Sequence, residues 1–412
     1  MTAIPPDDAT ARRDLGLLIS GNAVSALGNA VYLIAVTLLL VELTGSALVL
    51  GLFQFLALAP GLLLSPIAGV VVDRYPRRRV IIVSDVYRGV IMLLAGVALA
   101  VPGLRNAWFV LSVAFLSGIG QALFVPAVHA LLPALVPSSS LQTATGLRVA
   151  SSQIANLSGN AIGGALFVLL GAPMLFVLNG VSFLASAVQE LFIRGGRERI
   201  ATARTGSVMA MARAGLRTVV RDPSLRTLLW SQAGLYLISP VLVLSLPFLL
   251  IDELGLTQAA LGYYLALALA GGIAAFAVLR RFDVQAMLDL PVVGGAYLIL
   301  AVSFAAAGLL PGAVVLAVVA LFAGAAAGSV YLFTTTWIQI RTESRMHGRL
   351  FAVTEAANSA FAPLGYLTVG AVLELLGSGQ RWALFLFASS AALAWGLRCL
   401  RRGAARRKRS SV

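Results

Sequence analysis

Carboxylates are rare in this chain, with 16 Asp and Glu among 412 residues, and two of them stand where they could exchange protons. Asp85 precedes Arg88 by three residues, a spacing that lets two side chains pair on one face of a helix. Glu355 shares a helical face with Asn358 and Tyr366. A proton carrier must be ionised in one state and protonated in another. Because the pair with Arg88 would hold Asp85 ionised, we expect Glu355 to carry the proton. Asp85 with Arg88 is expected at a gate; a purely structural ion pair is the alternative for both carboxylates.

Other polar residues recur at helical spacing inside apolar segments. Such residues usually face the interior of a bundle or a cavity, although hydrogen bonding between helices without ligand contact is the alternative. Because these segments hold arginines but no mid-segment acid, a neutral or anionic amphiphile fits at least as well as a cation. The predicted pathway residues are Asn22, Ser25, Asn29, Tyr32, Gln54, Gln121, Arg148, Gln153, Asn156, Asn160, Gln232, Tyr236, Tyr331, Trp337, Asn358 and Tyr366.

The segments that carry these residues are long enough to cross a membrane. The chain is 59% apolar and 11% charged, which a soluble domain of this length could not accommodate. A membrane-spanning helix needs roughly 20 apolar residues, and about twelve segments qualify. The composition therefore predicts an all-α membrane protein. The predicted spans lie near 15–43, 46–72, 80–101, 107–132, 141–170, 173–193, 226–250, 257–279, 288–309, 312–338, 350–376 and 381–400.

The positive charges indicate the orientation. Of the 30 Lys and Arg residues, all but Arg105 and Arg381 fall on one side of the predicted membrane or near it, and the positive-inside rule assigns that side to the cytoplasm. Both termini are then predicted in the cytoplasm of a multi-pass cell-membrane protein. The same distribution argues against nucleic acid as a partner, because the arginines are spread over several short segments.

Residue scarcity argues against enzymatic chemistry. Lys408 is the single lysine and follows Arg407, so the sequence has no Gly-Lys-Ser/Thr phosphate loop. Cys399 stands alone, and His129 and His347 show no metal-ligand spacing. We expect no catalytic residue, no cofactor and no bound metal.

The apolar pattern is interrupted at length once, over 194–225. Arginines and small apolar residues alternate there at helical spacing, which predicts a basic amphipathic helix on the membrane surface; a solvated linker is the alternative. The predicted domains are an N-terminal six-helix bundle (1–193), this linker (194–225), a C-terminal six-helix bundle (226–400) and a basic tail (401–412).

A cluster of arginines joins the second and third predicted spans. We call residues 69–79 the arginine hinge; it contains Gly69, Asp73, Arg74, Arg77 and Arg78. Several guanidinium groups in hydrocarbon would be very costly, so the hinge is expected at a water-facing surface.

The hinge resembles the signature loop of the major facilitator superfamily. Ser84-Asp85-x-x-Arg88, Leu132-Pro133-x-Leu135-Val136-Pro137 and His347-Gly348-Arg349-Leu350-Phe351-Ala352 follow in the order typical of its drug and metabolite exporters, which include macrolide efflux pumps and the enterobactin exporter. The resemblance implies twelve helices in two six-helix bundles. It also implies a hinge that latches the cytoplasmic ends of the bundles. Asn160 departs from this pattern, since antiporters of the superfamily often have proline there.

The predicted function is secondary active export of a hydrophobic or amphipathic small molecule, such as a drug, siderophore or other metabolite. Proton antiport with alternating access would drive it. The alternatives are an importer or facilitator of a small nutrient, and a non-transporting membrane sensor. The expected partners are the small-molecule substrate, protons and membrane lipids, and we expect a monomer.

Overall fold

A computed structural model describes residues 9–195, 217–279, 281, 290–310, 312–342, 344–377 and 381–410. The amphipathic helix predicted in the linker falls mostly on 196–216, outside the described residues. The described part of the chain is helical, as predicted. Its helices are α1 (Ala9–Thr44), α2 (Ala47–Leu63), α3 (Ser65–Arg74), α4 (Arg77–Leu99), α5 (Ala107–Leu135), α6 (Leu141–Leu191), α7 (Pro223–Ile238), α8 (Pro240–Pro247), α9 (Ala259–Leu279), α10 (Leu290–Leu309), α11 (Ala313–Arg341), α12 (Ser344–Leu376) and α13 (Arg381–Ser410), with a π-helical turn at Phe248–Glu253.

The number of spans agrees with the prediction of an all-α membrane protein. Among the described residues, 10 helical stretches are long and apolar enough to cross a membrane, and the bent pair α2–α3 raises the number to 11. Gly171 interrupts α6 with φ +72° and ψ 167°, a conformation that is essentially restricted to glycine. Counting 141–170 and 172–191 separately brings the candidate spans to twelve.

One predicted span is not a single straight helix. The second apolar segment bends by 57° between α2 and α3, and Leu64 at the junction has φ −94° and ψ −2°. Pro66 follows at the start of α3. Proline has no backbone N–H to bond the carbonyl oxygen four residues earlier, yet it is tolerated in the first turn of a helix, so one helix ends here and the next begins.

By contacts, the chain divides into two compact units. Unit 1 comprises 1–202 with 257–266, and unit 2 comprises 203–256 with 267–412. The domain boundaries stated above stay a prediction.

In unit 1, α6 packs along α1 and α4, while α2 packs on α5. Small residues permit this close approach: a Cβ added at Gly159 of α6 would lie 2.7 Å from Ala30 Cβ in α1. Beside the arginine hinge, a cluster of buried side chains joins five helices, α1, α3, α4, α5 and α6. Its members include Leu18 of α1, Val72 of α3, Ile81 of α4, and Ala127 and Leu131 of α5.

In unit 2, α10 packs against α11 and α13, and α12 packs against α7. The Tyr297 hydroxyl of α10 donates to the carbonyl oxygen of Ser231 in α7. Trp395 Nε1 of α13 donates to Ser231 Oγ at 2.9 Å. The buried Ser231 therefore ties three helices of this unit together.

Candidate functional site

The arginine hinge contains less loop than the sequence suggested. α3 continues through Arg74, and α4 begins at Arg77, so only Tyr75 and Pro76 are non-helical. Pro76 explains the break, since it holds Tyr75 extended at φ −110° and ψ 153°. The later arginines therefore form the first turn of α4 and are positioned by a helix.

Two arginines of the hinge are anchored to neighbouring helices. Arg77 Nη1 donates to the carbonyl oxygen of Ala130 in α5 at 2.9 Å. Arg78 Nε donates to the carbonyl oxygen of Glu190 at 2.8 Å, and its Nη2 donates to that of Leu191. These carbonyls lie in the last turn of α6, where backbone acceptors lack the usual donor four residues later. The start of α4 is thereby fixed to the end of α6.

Two other charged residues of the hinge face outward. Asp73 and Arg74 are exposed. A Cβ added at Gly69 would meet no described atom within 4 Å. Close packing therefore does not require a glycine at position 69 in this conformation.

The predicted pair between Asp85 and Arg88 is present. Arg88 Nη2 donates to Asp85 Oδ1, and the two side chains are 2% and 0% exposed. The Arg88 guanidinium also lies between two aromatic rings, 4.3 Å from the centroid of Phe124 and 4.2 Å from that of Phe183. Cation–π contacts strengthen when they are desolvated, so Arg88 is held from several sides.

A second carboxylate, Glu190 of α6, belongs with this pair. It lies near the end of the predicted span 173–193, yet it is 2% exposed. Ser186 Oγ, one turn earlier in α6, donates to Glu190 Oε1 at 3.5 Å. Among the described residues, neither Glu190 Oε2 nor Asp85 Oδ2 has a hydrogen-bond partner. We call Asp85, Arg88 and Glu190 the buried acid cluster; Asp85 and Arg88 both act electrostatically on Glu190.

Several predicted pathway residues meet in one cavity of unit 1. The cavity measures about 250 Å³, and we call it the polar pocket. Arg88 borders it, and Arg88 Nη1 donates to Gln121 Oε1 on its wall. The pocket is therefore connected to the buried acid cluster through a single guanidinium. The predicted residues in its lining are Asn22, Ser25, Asn29, Arg88, Gln121, Arg148 and Asn156; the others are Ala26, Phe124, Val125, Val128, His129 and Ser152.

The polar pocket has a positive character. His129 Nε2 lies 3.4 Å from Arg148 Nη2, and no carboxylate is among the lining residues. Sequence reasoning set His129 aside because it had no metal spacing. His129 lies one helical turn after Val125 in α5, and both residues line the pocket. This helical spacing is the sequence signal that could have placed His129 on the pocket face.

Other predicted residues of unit 1 lie away from this lining. Tyr32 packs edge-on against Phe176, with ring centroids 4.9 Å apart. Asn160 is buried. Its backbone oxygen lies close to Gly262 of α9, since a Cβ added at Gly262 would be 2.2 Å from that oxygen. Gln54 and Gln153 are half-buried. Tyr32 is therefore outside the lining of the polar pocket, and its place on the pathway stays a prediction.

Unit 2 brings a second group of predicted residues together. Glu355 and Tyr331 are close enough to Tyr236 to act on it electrostatically, and Tyr366 interacts with Tyr236 in the same way. Glu355 is exposed, as is Tyr331. Gln232, one turn before Tyr236, is buried, and neither atom of its amide group has a hydrogen-bond partner among the described residues. Asn358 and Trp337 are buried as well.

One arginine expected to be accessible is buried. The Arg381 side chain is 10% exposed and lies 3.5 Å from Asp252 Oδ2 and 3.9 Å from Glu253 Oε1. Its guanidinium also lies 4.3 Å from the centroid of Phe248. Arg105, by contrast, pairs with Glu42 at 3.0 Å and stays 46% exposed.

Comparisons with known proteins identify the family of the chain. The sequence profile of the Major Facilitator Superfamily matches residues 18–366. Macrolide efflux protein A of Streptococcus pyogenes is 26% identical over 178 residues, which are 42% of this chain and 43% of that protein. The match thus spans less than half of that relative. The multidrug efflux pump Tap of Mycolicibacterium fortuitum is 26% identical over 382 residues, covering 89% of this chain and 91% of Tap.

A solved structure supports the fold. A bacterial homologue of the human lysosomal transporter Spinster superposes with a TM-score of 0.71 at 15% identity, over 97% of this chain and 96% of that one. At this identity the similarity concerns the fold alone.

Proposed function

The chain belongs to the Major Facilitator Superfamily, and we propose that it exports a hydrophobic or amphipathic small molecule by proton antiport. The family is one of transporters, and no enzymatic activity is part of this proposal. Export as the direction is supported by the names of two relatives, a macrolide efflux protein and a multidrug efflux pump.

The observation that carries the proposal is the polar pocket beside the buried acid cluster. Ligand pockets generally measure roughly 300–1,000 Å³, so a pocket of about 250 Å³ accommodates one polar end of an amphiphile rather than a whole macrolide-sized molecule. Its arginines, histidine and amides favour a neutral or anionic group, since no carboxylate of the lining would attract a cation. Arg88 lines the pocket and also belongs to the buried acid cluster, so a substrate group bound in the pocket would lie next to Asp85 and Glu190.

Proton exchange is proposed from the charge balance of the acid cluster. An isolated buried charge is very costly, and buried charges are normally paired. Arg88 can neutralise only one of the two carboxylates. Arg78 interacts with Glu190, but its guanidinium is bonded to the carbonyl oxygens at the end of α6. We therefore propose that Asp85 and Glu190 together hold one proton, which must be treated as belonging to the pair.

Glu355 remains the second proposed proton site. It is exposed and lies near Tyr236 and Tyr331, so it could exchange protons with water and contact a substrate directly. The expectation for Glu355→Gln is loss of active efflux with retention of substrate binding. Glu190→Gln should have the same effect if the buried acid cluster supplies the proton.

Transport itself is tested in inverted membrane vesicles. A fluorescent amphiphilic dye and a macrolide serve as substrates, with a pH gradient imposed and then collapsed by an uncoupler. Accumulation that stops on uncoupling supports antiport. Movement that is unaffected by the uncoupler would identify a facilitator, and no movement of either compound would favour the sensor.

The proton site is tested by substrate-induced proton release from the purified protein in detergent. The variants are Glu190→Gln, Asp85→Asn and Glu355→Gln, with the exposed Glu374→Gln as the matched control. Release that persists in Glu190→Gln and Asp85→Asn but disappears in Glu355→Gln would exclude the buried acid cluster. The reverse pattern would exclude Glu355.

A further inference from the structure

A basic groove runs between α7 and α13 in unit 2. Two adjoining cavities of about 470 and 270 Å³ share Arg398 and Arg402 in their walls. Arg401 completes one cavity, and Arg226 and Trp230 complete the other. No carboxylate is among the lining residues of either cavity. We call this surface the basic groove.

Internal contacts fix the groove. Arg402 Nη1 donates to Thr227 Oγ1 at 2.8 Å, and Thr227 is 1% exposed. Arg398 lies over the Trp395 ring, 5.4 Å from its centroid, and Trp395 is itself bonded to the buried Ser231. Much of the ordering cost of a binding site is thereby met before any ligand arrives.

The groove lies at the ends of membrane-spanning segments. The apolar stretch of α13 ends at Arg402, and that of α7 begins at Pro223, so the arginines stand where a helix leaves hydrocarbon. Trp230 is 54% exposed, and exposed tryptophan is enriched at the level of the lipid headgroups. Leu393 and Leu397 of α13 are also exposed and continue the surface with an apolar wall.

We propose that the basic groove binds the phosphate headgroup of an anionic phospholipid, with its acyl chains along the apolar wall of α13. Basic pockets between membrane-spanning helices suit such headgroups, and arginine recognises phosphate with a bidentate fork of donors. The sidedness predicted from the arginines places this lipid in the cytoplasmic leaflet. A free phosphate compound would share the headgroup chemistry but would gain nothing from the apolar wall.

Lipid retention by the full-length protein tests the proposal. The protein is purified in detergent, incubated with phosphatidylglycerol or phosphatidylcholine, and analysed by native mass spectrometry. Wild type should retain phosphatidylglycerol in preference to phosphatidylcholine. Arg398→Gln/Arg401→Gln should weaken retention by about 25-fold, because each arginine near an anionic headgroup contributes roughly fivefold.

Two further variants and a competition experiment complete the test. Arg226→Gln, on the opposite wall, should weaken retention by about fivefold without altering α13. Arg341→Gln, an exposed arginine at the end of α11, should leave it unchanged. Inorganic phosphate and glycerol phosphate should fail to displace the lipid. Equal retention of both lipids, an unchanged double variant, or complete displacement by inorganic phosphate would each overturn the proposal.

Discussion

Replacing Arg88 with methionine should destabilise the protein far more than replacing either acid beside it. Methionine keeps much of the length of the side chain between the rings of Phe124 and Phe183 but removes the charge. Asp85, 0% exposed, then loses its cation, and Glu190 loses one of the two arginines that act on it. The perturbation therefore isolates the charge balance of the buried acid cluster.

The magnitude follows from the burial of the pair. Breaking a buried ion pair by removing one partner costs about 3–5 kcal/mol, and we expect Arg88→Met to fall in that range. Glu190→Gln should cost less than about 1 kcal/mol, because the amide keeps its shape and leaves one acid facing one base. Acidic solution should reduce the loss in Arg88→Met, since protonation neutralises the carboxylates that the substitution leaves unpaired.

The assay is reversible unfolding in mixed micelles, followed by tryptophan fluorescence as the denaturing detergent is increased. Arg105→Met is the matched control: its partner Glu42 is 35% exposed, and a surface pair contributes at most about 1 kcal/mol. A loss of several kcal/mol in Glu190→Gln would refute the reasoning, because it would mean that Glu190 is ionised and needed as an anion. An Arg88→Met protein as stable as the control would refute it too.

Four further predictions concern the hinge, the packing, the pocket and the topology. Asp73→Asn should lower efflux at normal expression, because the family resemblance implies that this exposed carboxylate is part of the latch; normal efflux would exclude the latch. Gly118→Ala should lower stability by about 1–3 kcal/mol, since the added Cβ would lie 2.5 Å from a backbone oxygen. Gly69→Ala is the control and should not lower it, since a Cβ there meets nothing within 4 Å; equal melting temperatures of the two variants would contradict this. Gln121→Leu should reduce substrate-induced proton release more than substrate binding, and parallel losses would count against it. A cysteine at Arg105, with the native cysteine removed, should react with an impermeant reagent in intact cells; protection would contradict the predicted orientation.

Local spacing predicted what lies within one helix. The pair between Asp85 and Arg88 follows from a separation of three residues, and the polar face of Asn22, Ser25 and Asn29 follows from the helical period. Both features depend only on the geometry of a single helix. They could be inferred without knowing how the helices pack.

Features that depend on the register between helices could not be predicted. Glu190 lies near the end of its apolar segment, and nothing in the sequence states that α6 aligns it with Asp85 of α4. Likewise, charge counting placed Arg381 in water, but the π-helical turn at Phe248–Glu253 supplies two carboxylates and a ring that cover it. Tertiary packing decides in both cases, because the segments involved are far apart in sequence.

Whether substrate and proton move together or in opposite directions depends on whether the substrate binds Arg88 or Gln121. A substrate group that draws the guanidinium itself would leave Asp85 and Glu190 without a cation, so proton and substrate would bind together, which is cotransport. A hydroxyl or amide that donates to Gln121 Oε1 would instead displace Arg88 Nη1 from Gln121. The freed donor could then turn to Glu190 Oε2, which has no partner among the described residues. That contact stabilises the ionised carboxylate, and the shared proton leaves as the substrate binds. If the buried acid cluster carries the proton, antiport therefore requires a neutral hydrogen-bond donor on the polar end of the substrate, placed against Gln121.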